Sequence, residues 1–157
     1  MRKRIVAAAR ASDPSSGEQW LDLEQLARVE LSSEEEEHPV EAALTPGRDA
    51  GWRAAEAGEQ FVRILFDEPQ RLRRIRLTFV ETAAERTQEF SLRWLPADGS
   101  PAREIVRQQW TFSPGGASEE TEDYRVDLSG VAALELAIVP DIRGGSARAS
   151  LHSLRVA

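Results

Sequence analysis

The chain has 157 residues, a formal net charge of −7, 41% hydrophobic and 30% charged side chains, proportions that suit one globular domain with a core large enough to fold without covalent staples. The absence of cysteine excludes disulfides, thiolate catalysis and cysteine-based zinc sites. The negative charge argues against nonspecific binding to nucleic acid or to an anionic membrane surface, and no apolar run approaches the ~20 residues of a membrane-spanning helix.

Met1-Arg2-Lys3-Arg4 opens the chain with the basic start of an export signal, but the apolar stretch Ile5 to Ala9 is shorter than the ~7–15 residues such a signal uses. The segment is therefore expected to be a first strand of a cytoplasmic protein. Turn formers make Ala11 to Gly17 a loop. Trp20, Leu23 and Leu26 fall at helical spacing over one or two turns. Ala27 to Leu31 reads as a strand with Val29 and Leu31 on one face, and Glu34 to Glu37 reads as a solvated loop tip.

From Gln60 to Phe112 apolar and polar residues alternate. Gln60–Phe66 is a strand, the Asp67-Glu68-Pro69 triplet is a turn, and Leu72–Val80 is the next strand. Period-2 geometry lets Ile75, Leu77 and Phe79 be buried while Arg74, Arg76 and Thr78 stay wet. A charged loop, Glu81 to Thr87, leads to the strand Gln88–Leu95. Pro96-Ala97-Asp98-Gly99-Ser100 carries a hairpin signal, Ile105–Phe112 returns, and Ser113-Pro114-Gly115-Gly116 breaks the run. The carboxylates Glu119, Glu120, Glu122 and Asp123 are expected in an acidic solvated loop. Strands at Tyr124–Leu128, Leu134–Val139 and Ala149–Val156 complete eight or nine, with no long helix. The pattern implies an all-β antiparallel sandwich or barrel.

Chemistry-bearing patterns are sparse. His38 and His152 are the two histidines, and a metal site would need both to converge with carboxylates from Glu34–Glu37 or Asp49. Neither a phosphate-binding loop, a nucleophile elbow nor a metalloprotease helix is present, so the chain reads as noncatalytic. Nineteen of the twenty basic residues are arginine, scattered along the chain, and the scatter reads as compositional bias rather than a binding patch. A sugar site needs an aromatic platform and planar polar groups. Trp52, beside Arg53 in a loop, is the best platform candidate, with a core position as its alternative.

The ordered signals resemble the discoidin family, the C-type domains of coagulation factors and their galactose-binding-like bacterial relatives. The likeness rests on Val29-Glu30-Leu31-Ser32-Ser33-Glu34, then Ala42-Ala43-Leu44 and Gly51-Trp52. It continues through Val62-Arg63-Ile64-Leu65-Phe66-Asp67-Glu68-Pro69, Phe90-Ser91-Leu92 with Asp98-Gly99, and a last strand from Ala149 to Val156. The resemblance covers roughly residues 27–157 and implies an eight-stranded jelly-roll sandwich, galactose-binding-domain-like, with ligands held by the loops at one end. It also places Arg86 where relatives carry a binding arginine, and it brings Asp141 and Arg143 to the same end as Trp52. Many relatives hold a structural calcium, for which Asp49 would supply one carboxylate. The second expected carboxylate is replaced by Ser150, a loss that weakens such a site. The chain contains no asparagine, an unfavourable sign for a sugar site. Two functions follow: a noncatalytic module with a carbohydrate-like ligand at the loop end or, alternatively, an intracellular protein–protein interaction domain.

Overall fold

A computed structural model describes residues 19–48 and 50–157. The expected first strand and the loop after it, up to Gly17, lie outside the described residues, as does Asp49. A single helical turn, α1 (Leu23–Leu26), is followed by β1 (Ala27–Leu31), a second turn α2 (Glu41–Leu44), and then strands only. These are β2 (Trp52–Ala57), β3 (Gln60–Val80), β4 (Arg86–Pro96), β5 (Arg103–Phe112), β6 (Glu119–Val139), β7 (Arg148–Leu151) and β8 (Ser153–Val156).

The largest departure from the sequence expectation concerns chain reversals that do not occur. The Asp67-Glu68-Pro69 triplet does not turn the chain back. Instead β3 runs through it for 21 residues, and β6 matches it with 21 of its own. The two strands pair antiparallel from Gln60↔Ile138 to Val80↔Glu119, with register shifts between Leu65 and Arg74. Extra residues in a ladder bend and twist it, and here they fold one long ribbon over into two layers. Proline is tolerated at such an irregularity because no ladder hydrogen bond is demanded of it there. The expected strands Tyr124–Leu128 and Leu134–Val139 are accordingly parts of one strand. The last expected strand instead divides at His152 into β7 and β8.

The first layer contains β1, the start of β3, the end of β6, β4 and β5 in that order. The second contains the rest of β3 and β6 with β8 beside β3, and the β2–β7 pair flanks it. All ladders are antiparallel. The core lies between the layers: Val62, Ile64, Phe90 and Leu92 face Ile75, Leu77, Phe79 and Leu154, all nearly inaccessible. Phe79 and Phe90 meet across it with ring centroids 5.1 Å apart. Alternation therefore set the inward residues correctly for Ile75, Leu77 and Phe79. It failed for Arg74, which is 6% exposed. Its guanidinium binds Asp123 through Nε (2.9 Å) and Nη2 (2.6 Å) and lies 5.0 Å from the Trp20 ring centre. Those hydrogen bonds, Arg74's first, hold the Asp123 carboxyl down at about 2.

On the outer face of the first layer, Glu30, Arg63, Glu135 and Arg93 form one cross-strand row over β1, β3, β6 and β4. Arg63 donates to Glu30 (2.8 Å) and to Glu135 (2.6 and 2.9 Å), and Arg93 donates to Glu135 (2.6 and 3.2 Å). Burial alone would raise the Glu135 pKa, but the two guanidiniums outweigh it and hold it below the ordinary value. Glu135→Gln is expected to cost about 1–2 kcal/mol because it weakens two charge-assisted contacts at a mostly covered site. Glu30→Gln, at the exposed end of the row, should change stability by less than about 0.5 kcal/mol. Urea unfolding of both variants checks the ordering, and equal effects would show that the row is not a unit.

Candidate ligand-binding site

Every loop that the sequence marks as functional lies at one end of the sandwich. Gln60, Val80, Arg86, Phe112, Glu119 and Val139 all end or begin strands there. The connections between them are tied together by buried polar groups. Gln60 Oε1 accepts from the hydroxyls of Ser32 (2.6 Å) and Ser33 (2.7 Å). The Ser33 carbonyl accepts from Trp52 Nε1 at 3.0 Å, and the segment Glu35–His38 exchanges backbone hydrogen bonds with Arg53.

Trp52 is 1% exposed, so it plugs the end of the core and has no free ring face on which a ligand could stack. The core alternative for this residue is the one that the structure shows. Gly51 beside it has φ +71°, and a Cβ there would stand 2.9 Å from the Leu151 carbonyl oxygen, so this close approach of β2 to β7 requires glycine.

Arg86 is also a structural residue rather than an exposed contact. It is 2% exposed, with Nε donating to Glu81 (2.7 Å), Nη1 donating to the Pro140 carbonyl (2.8 Å) and the guanidinium 4.8 Å from the Phe112 ring centre. Glu81 in turn accepts from the backbone of Ala83 and Ala84. Burial would raise the Glu81 pKa, yet Arg86 and these amides hold it below the usual carboxylate range. One buried charge thus shapes the 81–85 loop and anchors the start of the 140–147 loop. Arg86→Ala should cost about 3–5 kcal/mol in chemical denaturation, since it strands Glu81 and the Pro140 carbonyl. A cost below about 1 kcal/mol would contradict this assignment.

Asp141 and Arg143 do come together with Arg86's neighbourhood. Arg143 donates to Asp141 Oδ1 from Nε (3.2 Å) and from its backbone (3.1 Å), Ile142 N donates to the Thr87 carbonyl, and Arg143 Nη2 reaches the Glu85 carbonyl at 3.5 Å. Arg143 holds the Asp141 carboxyl below its ordinary pKa. The pair is mutually neutralised and sits against the Glu85–Thr87 end of the 81–87 segment.

Against Val80–Ala83 is a cleft of about 350 Å³ that the sequence did not single out. It lies between the β2–β7 pair and residues Val80–Ala83, and it is lined by His38, Arg53, Arg148, Ser150 and His152 with Val80, Glu81 and Thr82 opposite. Both histidines of the chain reach it from segments more than a hundred residues apart. His38 Nδ1 donates to the Ala50 carbonyl (3.3 Å), which leaves Nε2 as the free ring nitrogen. Arg148 donates to Glu35 at 2.6 Å, and Arg53 lies 3.7 Å from the same carboxylate oxygen. A second groove, of about 410 Å³, runs along β1 and is lined by Leu23, Val29, Leu31, Val40 and Leu44 with Glu24, Glu34 and Glu41. Its carboxylates Glu24 and Glu34 are engaged by Thr45 and by the Val40 amide, so it offers apolar surface with Arg28 as its one lining cation.

The described residues do not fit a calcium site. Ser150 faces Arg53 across the β2–β7 ladder, and the nearby carboxylates Glu35 and Glu81 are committed to arginines. Among the described residues no three histidine or carboxylate side chains converge in a way that could hold a metal ion.

The expected acidic loop at residues 119–123 is in fact the start of β6, and it holds an unusual carboxyl. Glu120 is 1% exposed and neither of its oxygens has a hydrogen-bond partner; Gln88 Nε2 and Trp110 Nε1, inward on β4 and β5, are likewise unsatisfied. Beside it Gln108 donates to Glu122 (2.7 Å) and Tyr124 donates to Gln108 (2.6 Å), linking the two layers at their edge. Burial, and then the neighbouring Glu122 carboxylate, push the Glu120 pKa up from 4.5 to about 8. The folded protein thus keeps a proton that the unfolded chain releases above its ordinary pKa. The contribution of this carboxyl to stability is full below about pH 4.5, falls between pH 4.5 and about 8, and is flat above. Glu120→Gln should remove that fall, so its stability gain over the parent should widen from pH 5 to pH 8 in thermal unfolding. A constant difference would show that Glu120 is ionised throughout.

No protein-family model and no curated protein matches the chain. Solved structures do. The family 32 carbohydrate-binding module of AlyQ, in complex with 4,5-unsaturated mannuronic acid, superposes with a TM-score of 0.63 at 12% identity, over 89% of this chain and 98% of that one. The fold is the galactose-binding-like sandwich. The family 32 module of NanJ from C. perfringens, in complex with galactose, gives a TM-score of 0.59 at 16% identity over 87% and 96% of the two chains. An allantoicase gives 0.58 at 17% identity, over 83% of this chain and 39% of its own. At these identities the likeness is one of fold, and that sandwich occurs both in carbohydrate-binding modules and in part of an allantoicase chain.

Proposed function

We propose that this chain is a noncatalytic carbohydrate-binding module whose ligand occupies the cleft between β2–β7 and the 81–83 loop. One observation carries the reading: His38, Arg53, Arg148 and His152 converge there on a space of about 350 Å³ that also presents Val80, 36% exposed. A space of this size suits one or two sugar rings. Guanidinium and imidazole groups supply directed hydrogen bonds to ring hydroxyls, and Val80 supplies apolar surface that the buried Trp52 does not. The fold supports the reading, since modules with this sandwich are found in complex with sugars. The protein-partner alternative has less to rest on: among the described residues the exposed large apolar side chains are Val80 and Ile142, too little for the apolar centre of a stable interface.

A glycan array should identify a sugar that binds, and His152→Ala or Arg53→Ala should weaken that binding by about tenfold or more, ~1.4 kcal/mol, with no change in thermal midpoint. Binding that survives both substitutions would move the site elsewhere, and an array with no signal above background would overturn the reading.

A further inference from the structure

The charges of the cleft run against those of the protein. Arg53 and Ser150 are opposed in the β2–β7 ladder, and Arg148 lies two residues from Ser150, so both guanidiniums stand on the same face of that ribbon. They share a single counter-charge, Glu35, which sits 2.6 Å from Arg148 and 3.7 Å from Arg53. The other carboxylate of the cleft, Glu81, is consumed by the buried Arg86. One carboxylate therefore answers two guanidiniums, within a chain whose net charge is −7. Both arginine side chains remain open to solvent, at 54% and 41% exposure. Arg53 makes an ion pair too long to be a hydrogen bond and Arg148 gives up one N–H, so most of the ten donors of the two forks, on residues that line the cleft, have no hydrogen-bond partner within the described residues.

We infer that the cleft selects a sugar acid over a neutral sugar, the carboxylate of the ligand pairing with Arg148 and Arg53. The inference rests on the reading that this cleft binds sugar, and it names the class of sugar. A guanidinium fork matches a carboxylate in a bidentate way, with shorter and stronger hydrogen bonds than a neutral hydroxyl accepts. The ligand carboxylate supplies the counter-charge that Glu35 alone does not, while the hydroxyls of Thr82 and Ser150, which also line the cleft, remain for the neutral part of the ring.

Calorimetric titration with short oligomers of galacturonate, mannuronate and glucuronate, each beside its own methyl ester, tests this directly. The ester keeps the ring skeleton and removes the charge. At about 20 mM salt at least one acid should bind roughly tenfold tighter than its ester, and the preference should shrink at about 0.5 M salt as the charges are screened. Arg148→Gln should abolish the preference and leave the weaker ester binding in place. Esters or neutral oligosaccharides that bind as tightly as the acids would overturn the inference and leave the sugar-binding reading standing. A preference for acid that persists in both Arg148→Gln and Arg53→Gln would place the carboxylate elsewhere and overturn it as well. No binding by any acid, ester or neutral sugar would overturn both.

Discussion

The continuous pairing of β3 with β6 is the constraint on which the rest of the molecule depends. A single ribbon of two 21-residue strands contributes the middle of both layers. Every other ladder except β2–β7 attaches to it or to β4, which it holds. The bend is made by ladder irregularities between Leu65 and Arg74 rather than by a reversal of the chain, so the two halves of the ribbon cannot be repositioned independently. The same bend brings the end of β3 back to the end where it began. This is why Gln60 and Val80, twenty residues apart along an extended strand, both serve the loop end.

At that end the polar groups divide into those that build and those that face outward. Arg86 is desolvated and saturated, with a carboxylate, a carbonyl and an aromatic ring around it. A buried guanidinium in that situation fixes geometry, since any movement of the 81–85 loop would leave a charge without its partner. The cleft borders the Val80–Ala83 part of the same loop. Its wall is rigid because Arg86 stands behind it, and its floor is rigid because Trp52 fills the end of the core. Arg86 shapes the cleft without lining it, whereas Trp52 is part of its lining although almost wholly buried.

Much of this was legible in the sequence. Alternation gave the inward faces of Val62–Phe66, Ile75–Phe79 and Phe90–Leu92, and the Asp98-Gly99 hairpin joins β4 to β5 as its turn chemistry requires. What failed was continuity. A turn signal such as Asp-Glu-Pro and a bulge signal use the same residues, and only the partner strand decides between them. Burial of charge failed for a related reason. Arg74, Arg86 and Glu120 occupy inward or covered positions of strands, and a pattern that treats charge as wet cannot see the tertiary partners that make Arg74 and Arg86 tolerable there, or the raised pKa that does so for Glu120. The cleft was invisible for a third reason: it joins residues 38, 53, 81 and 148–152, whose neighbourhood exists only through the β2–β7 pairing and the bend of β3.

The arginines show the same principle in a form that bears on function. Their even scatter along the chain reads as composition, and on the strands that reading is nearly sufficient. Arg63 and Arg93 close on Glu135, Arg74 and Arg76 close on Asp123, and Arg107 closes on Glu89 and Glu104. Each is matched across a ladder by a carboxylate that the register places opposite or diagonal to it. Arg53 and Arg148 lie on the short β2–β7 pair, where a two-strand ladder offers no third strand to carry a further carboxylate, and their counter-charge comes from a loop. Glu35 can satisfy one guanidinium fully and the other only in part. A charge imbalance that would be costly between sheets is cheap at a solvated cleft, and it persists there because water screens it. It is also the one place among these paired arginines where an incoming anion would gain contacts without first breaking a cross-strand pair.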